Sequence, residues 1–269
     1  MSPARHPYQE VVNNLVDYIG DASRLVGVIR ERIDRQTKNR QREGGHGRGG
    51  PDVFHKTLNR AVAVAAVGAW EAFNEDLVRT AAEHNFGKWA EYKDWYPITG
   101  ANGQIQTPNS RNVRRLYWAL FQFDPIDAWS VAVTVAPVET QLGGSSWRVG
   151  VTTHSKRKAA EFLDGVVRIR HAFAHQDAVQ ARSLVTPLPG VATVGAGGKW
   201  NIGSHHAENA ICCVLQLAIL TTQSLSDHMQ IPESLNWSKQ LTGFNWSRYV
   251  GNSDAANIVS TRWRGSHPF

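Results

Sequence analysis

The sequence predicts a mainly α fold, a bundle of long antiparallel helices with room for a small β element in its insertions. Three observations carry that expectation. Apolar residues recur at helical spacing over several long stretches. The breaks between those stretches hold Gly, Pro and Asn, the residues that end helices and make loops. Hydrophobic residues make up 42% of the 269 positions against 19% charged, which suits a packed core of one large or two small domains rather than a disordered chain.

Taken in order, residues 8–35 read as a first helix, with Val12, Leu15, Val16, Ile19, Val26 and Ile33 on one stripe. Residues 36–52 contain Gly44-Gly45-His46-Gly47-Arg48-Gly49-Gly50 and read as a basic loop, either a solvated linker or an arm for RNA phosphates. Residues 54–84 read as a second helix whose stripe is Val62, Ala66, Ala69, Phe73 and Leu77. Glu71 and Glu75 are placed on its opposite face, with Asp76 beside them. Such a pair can do acid/base work, although a solvated or salt-bridged face is the commoner reading.

An aromatic link follows, Trp89, Tyr92, Trp95 and Tyr96, closed by Pro97, and then a loop over residues 98–109. Ser110 is positioned to cap a third helix running to about Phe123, with Arg111, Arg114 and Arg115 on its exposed side. In the stretch 128–152, Val131, Val133 and Val135 alternate like a short strand, but no clear hairpin follows. Thr153 or Ser155 then starts a helix with Lys156, Arg157 and Lys158 in its first turn. Cations there oppose the helix dipole, which suggests a bound anion or partner. Residues 183–203 form a Pro/Gly-rich loop with hairpin character, and a last long helix runs from His206 to Met229 on Ala210, Cys213, Val214, Leu217, Leu220 and Leu225. The tail carries Trp237, Trp246, Tyr249 and Trp263. No internal repeat is present. The expected organisation is a helical domain over residues 1–235 and an aromatic, polar extension over 236–269.

The formal net charge is +6 and the pI about 9.5, a balance that favours acidic partners. Residues 30–48 carry seven Lys/Arg against three Asp/Glu, a local net of +4, so the charge is concentrated. Trp147 and Trp263 sit in polar contexts that suit a surface. The two cysteines, Cys212 and Cys213, are adjacent. Helical neighbours cannot form an unstrained disulfide and lack zinc-site spacing, so they read as small apolar core residues in a reducing compartment. The polar start Met1-Ser2-Pro3-Ala4-Arg5-His6-Pro7 does not read as a signal peptide. The longest apolar run, residues 210–220, is short for a membrane span and contains Gln216. These features together set the expectation of a soluble, cytoplasmic protein.

The chemistry concentrates in Arg168-Ile169-Arg170-His171-Ala172-Phe173-Ala174-His175. Arginine offers a permanent charge with donors matched to phosphate oxygens, and histidine moves a proton near neutral pH. Together they form a minimal toolkit for cutting a phosphodiester without a metal. At 100° per residue Asp164, Arg168, His171 and His175 fall within about 60°, beside the apolar stripe of Phe162, Val166, Ile169 and Phe173. Asp164 is positioned to pair with Arg168. Arg170 projects about 140° from His175, so the two act together only if the helix ends near His175 or a second chain closes the site.

The sequence resembles the HEPN superfamily, helical nucleases and nucleotide-binding proteins marked by an Arg, four to six residues, and a His. Arg170 to His175 matches the four-residue form and Arg168 to His175 the six-residue form. Trp70-Glu71-Ala72-Phe73-Asn74-Glu75-Asp76-Leu77 looks like a segment of the RiboL-PSP-like branch, and Thr107-Pro108-Asn109-Ser110 is similar to the start of its third helix. The resemblance covers roughly residues 55–230. It departs at Gln176, where family members often have Gly, and in the glycine-rich loop and the 130–152 region.

The resemblance implies a HEPN-type bundle and a metal-independent endoribonuclease of single-stranded RNA, needing no cofactor. It also implies a homodimer or higher oligomer whose motifs face a shared cleft, a toxin or phage-defence role, and restraint by a regulatory protein. Catalytic expectations fall on His175 as acid/base, Arg170 as phosphate clamp and His171 as a second polar contributor. Arg168, Lys156, Arg157 and Arg115 are expected to bind substrate. The competing expectation is a non-catalytic HEPN-like module that binds RNA or nucleotide, or a scaffold in a defence complex.

Overall fold

A computed structural model describes residues 5–42, 53–87, 107–138, 148–174, 186–195, 198, 200–235 and 237. The glycine-rich segment, the aromatic link, Trp147, His175 and nearly all of 236–269 lie outside the described residues. Within them the fold is mainly α, as expected. Five helices run in the order α1 Gln9–Arg42, α2 Val53–Phe86, α3 Ser110–Phe121, α4 Arg157–Ala174 and α5 Ser204–His228. A strand pair, β1 Ser130–Val138 and β2 Arg148–Ser155, lies between α3 and α4, and a smaller pair, β3 Thr193–Val194 and β4 Trp200–Asn201, lies between α4 and α5.

Cross-helix bonds set the directions. Asn14 and Tyr18 of α1 donate to the Asp76 carboxylate of α2, while Tyr8, just before α1, lies against Asn85 near the end of α2. The partner number falls as the position rises, so α1 and α2 are antiparallel. His6 meets Ser226 at the end of α5, and Arg30 bridges Glu208 at its start (2.6 Å), so α1 and α5 are antiparallel too. Asn59, near the start of α2, donates to the Ile202 carbonyl just before α5. With 34 residues each, α1 and α2 extend for about 50 Å.

The core lies between these helices. All five stripe residues expected on α2 are buried, as are the six on α5. On α1, Val12, Leu15, Val16, Ile19 and Val26 are buried, but Ile33 is 37% exposed because that end of the helix runs beyond the bundle core. Cys212 and Cys213 are buried free thiols, and burial pushes Cys212 up to about 12. Trp70 of α2 stacks on Phe73 and meets Trp129 edge-on, with centroids 5.6 and 6.0 Å apart. Trp237, at the start of the aromatic extension, is buried in the same core.

Helix α5 is long and apolar enough to cross a membrane by length and composition, more so than its reading as a short run suggested. Its apolar window is 94% buried inside the protein. Its buried amides have a definite use. Gln216 accepts from the Ala132 N–H (2.8 Å) and donates to the Ala132 carbonyl (3.0 Å). Asn209 does the same for Thr134 (2.9 and 2.7 Å) and also donates to the Gly190 carbonyl. Trp129 donates its indole N–H to Thr221. The backbone groups on this edge of β1 are therefore paired by helix side chains.

The strand pair corrects the expectation that no hairpin follows Val135. β1 pairs antiparallel with β2, from Ser130 opposite Ser155 to Val135 opposite Gly150. Helix α4 accordingly starts later than Thr153 or Ser155, both of which belong to β2. Lys156 precedes the helix in the left-handed region (φ 49°), its N–H donated to the Trp129 carbonyl at 2.7 Å. Arg157 is the first helical residue and pairs with Glu161 one turn on (3.2 Å). Of the three cations expected to oppose the dipole, Arg157 thus has an intrahelical carboxylate partner.

Candidate functional site

Three segments far apart in sequence meet around the middle of α2 and the second half of α4. The first contact is an ion pair: the Arg170 guanidinium of α4 donates to the Glu71 carboxylate of α2 at 2.5 Å. Both side chains are only a quarter to a fifth exposed, so the pair sits at the edge of the α2–α4 seam. Glu71 therefore takes the salt-bridged form of the two expected of its face. Asp76 faces α1, where it takes the bonds from Asn14 and Tyr18.

The second contact fixes the third helix. Asp164 of α4 accepts from the Ser110 backbone N–H (2.7 Å) and the Ser110 hydroxyl (2.8 Å). A carboxylate at the N-terminus of α3 satisfies an otherwise orphaned donor and suits the helix dipole. The Asp164 carboxylate thus has a partner on α3, where the sequence suggested Arg168 of its own helix. Ser110 is also not the cap. Asn109 caps α3, accepting from the Asn112 N–H at 2.8 Å, and Ser110 is the first helical residue.

The third contact holds an imidazole. His171 Nε2 and the Thr107 hydroxyl share a hydrogen bond of 3.1 Å. Thr107 is itself held, its carbonyl accepting from the Asn112 side chain (2.9 Å). The next residue, Pro108, gives its carbonyl to the Trp70 indole N–H (3.0 Å). The segment 107–112 is thereby stapled to α2 through Trp70 and to α4 through Asp164 and His171. An imidazole anchored through one nitrogen has a set ring orientation, a requirement for proton transfer to a placed ligand.

The remaining expected site residues lie apart from this cluster. Arg168 points away from Arg170, its guanidinium 5.7 Å from the centroid of the Trp200 ring in β4. Lys156 and Arg157 lie at the opposite end of α4, about 20 Å from His171 along the axis at 1.5 Å per residue. Arg115 is exposed on α3. His175 lies outside the described residues, so its relation to Arg170 is not among these contacts. The sequence reading missed Thr107, Ser110 and Asp164 as partners. The Thr-Pro-Asn-Ser run was visible as a helix start, but which carboxylate would meet it depends on how α3 docks on α4.

Two histidines outside this cluster precede the core portion of α5. His206 Nδ1 accepts from the Gly203 N–H (2.8 Å), and burial, reinforced by neighbouring His205, pushes its pKa down to about 3. Among the described residues, no group of three or more His, Cys, Asp or Glu is arranged to hold a metal ion.

Chemically, the α2–α4 seam offers a guanidinium, an anchored imidazole, a hydroxyl and a carboxylate within neighbouring turns. Such a set can bind an anionic oxygen and move a proton. Comparison of the chain with protein-family models, with curated proteins and with solved structures finds no match in any of the three.

Proposed function

We propose that this chain is a metal-independent endoribonuclease of single-stranded RNA, of the HEPN kind. The observation that carries the reading is the meeting of its three resembling segments at one place. Glu71 of the Trp70–Leu77 segment holds Arg170, Thr107 holds His171, and Ser110 holds Asp164. Together these contacts put a guanidinium, an imidazole and a carboxylate in one neighbourhood, which supports the reading.

In the proposed reaction the 2′-oxygen forms a bond to phosphorus as the bond from phosphorus to the 5′-oxygen breaks. An imidazole takes the proton of the 2′-hydroxyl and an imidazolium gives one to the departing 5′-oxygen, so no net proton is gained or lost. His175 is assigned the acid/base role and His171 the second polar contribution. Arg170 stabilises charge on the phosphoryl oxygens, exchanging its bond to Glu71 for one to the phosphate. The products are a 2′,3′-cyclic phosphate and a 5′-hydroxyl. Arg168, Lys156, Arg157 and Arg115 serve RNA binding away from the cut. We further propose a homodimer with paired motifs, a cytoplasmic toxin or phage-defence role and a regulatory protein partner.

One observation favours a second reading. Arg170 already has a carboxylate partner, and a guanidinium that cross-links α2 to α4 suits a non-catalytic module that binds RNA or nucleotide, or a scaffold. RNA cleavage in EDTA separates the two. The nuclease cuts single-stranded RNA under that condition, and His175→Ala abolishes the cut while its thermal melting stays that of the parent. Cutting that disappears in EDTA, or persists in His175→Ala, contradicts the mechanism. RNA binding without cutting selects the second reading.

A further inference from the structure

Helix α3 carries an outer face that the site itself does not use. At 100° per residue, Arg111, Arg115 and Trp118 fall within roughly 60° of one another, a single stripe along the helix, and Gln122 caps its end. All four are exposed, and Trp118 retains 52% of its surface to solvent. A second exposed ring is connected to this helix through Phe121. Phe86, at the end of α2 and 51% exposed, stacks on Phe121, which is three residues beyond Trp118.

Within the helix itself the charge is one-sided. The helix holds three arginines and no acidic residue. The neighbouring carboxylate Asp124 is bonded to Arg114 at 2.7 Å, on the flank of the stripe. The stripe also starts at the motif helix, because Asp164 of α4 holds Ser110, the residue before Arg111. From Arg111 to Trp118 is about 10 Å along the axis.

We infer that this stripe is a binding track for single-stranded nucleic acid, with backbone phosphates on Arg111 and Arg115 and an unpaired base stacked on the Trp118 indole. Guanidiniums one turn apart suit successive anionic groups, and an exposed indole stacks on any base without reading its sequence. A half-exposed tryptophan costs solvation that a stacked base recovers. The track leads strand toward Arg170 and His171 and supplies affinity that those two residues do not have to provide. This deepens the proposed function and rests on its choice of ligand, but not on its reaction.

The test uses the full chain, EDTA and a fluorescein-labelled 15-mer of oligodeoxythymidylate, which lacks the 2′-hydroxyl and is bound without being cut. Anisotropy titrations are run at several salt concentrations. Trp118→Ala is expected to weaken binding about 5- to 150-fold, the range seen for one lost base stack, while Trp118→Phe stays within about threefold of the parent. Arg111→Gln and Arg115→Gln are each expected to lower the slope of log affinity against log salt by about 0.7. Melting curves check that each variant is folded.

The inference is overturned if the parent does not bind the oligomer, or if Trp118→Ala binds it as the parent does. It is equally overturned if Trp118→Ala changes only the sedimentation of the protein with itself, which makes the face a protein interface. The two failures separate cleanly. Trp118-dependent binding with RNA left uncut removes the nuclease reading alone, and cutting with Trp118-independent binding removes the track alone.

Discussion

Arg170 has two potential partners of opposite consequence, a carboxylate now and a phosphate in the proposed reaction. The Glu71 carboxylate orients the guanidinium, so each half of the pair depends on the other. Glu71→Gln is expected to lower stability by about 1 kcal/mol, a value kept small because both groups touch solvent. The double-mutant cycle with Arg170→Gln is expected to give a coupling of similar size in urea unfolding; additive effects contradict the pairing. His206 gives a separate residue-level signal. Its folded pKa is depressed to about 3 from an ordinary 6.5, so below pH 6.5 the unfolded chain binds the proton and the folded chain resists it. Stability is full above pH 6.5 and falls as pH drops toward 3, by up to about 1.4 kcal/mol per pH unit for this one group. His206→Asn keeps an acceptor for the Gly203 N–H and flattens that fall, with burial-depressed His205 supplying the remainder. An unchanged pH profile of melting in His206→Asn contradicts the assignment.

At the scale of the elements, the helices were legible because each needs only its own periodicity. Val62, Ala66, Ala69, Phe73 and Leu77 announce a buried face without reference to any partner. The strand pair was not legible for the opposite reason. β2 has the sequence Arg148-Val149-Gly150-Val151-Thr152-Thr153-His154-Ser155, weak in apolar alternation, and its Val151 is 71% exposed. What commits β1 to its place is on α5, some 80 residues away: Gln216 and Asn209 complete the hydrogen bonding of Ala132 and Thr134. Gln216→Leu leaves an N–H and a carbonyl unpaired and is expected to cost about 2–6 kcal/mol, at about 1–3 for each group. Gln216→Glu keeps the acceptor for the N–H but faces a carbonyl with an oxygen, and is expected to destabilise as well. Hydrogen exchange gives an independent readout. The Ala132 and Thr134 amides are expected to be slow in the parent and fast in Gln216→Leu at Ala132. A urea midpoint equal to the parent's contradicts this account of the edge.

For the molecule as a whole, the residue types of the motif were legible in the sequence, but their surroundings were not. Helical angles placed Asp164, Arg168 and His171 on one stripe, yet the surroundings divide it. Asp164 is taken by the start of α3, His171 by Thr107 and Arg168 by the Trp200 ring. The arc that holds Arg111 and Arg115 also holds Trp118, and the same arithmetic applied to that helix would have found it; its exposure would not have been visible, because it depends on which face α3 turns to α4. The central claim is that a guanidinium and an imidazole of the 168–175 segment direct a 2′-hydroxyl at its own phosphorus. The most direct measurement maps the cut in a single-stranded RNA and repeats the assay with one 2′-deoxy residue placed at that linkage. The account predicts that the marked linkage resists cleavage while its neighbours remain susceptible, and that the parent's fragments end in a 2′,3′-cyclic phosphate and begin with a 5′-hydroxyl. Cleavage at the deoxy position, or fragments beginning with a 5′-phosphate, would contradict it.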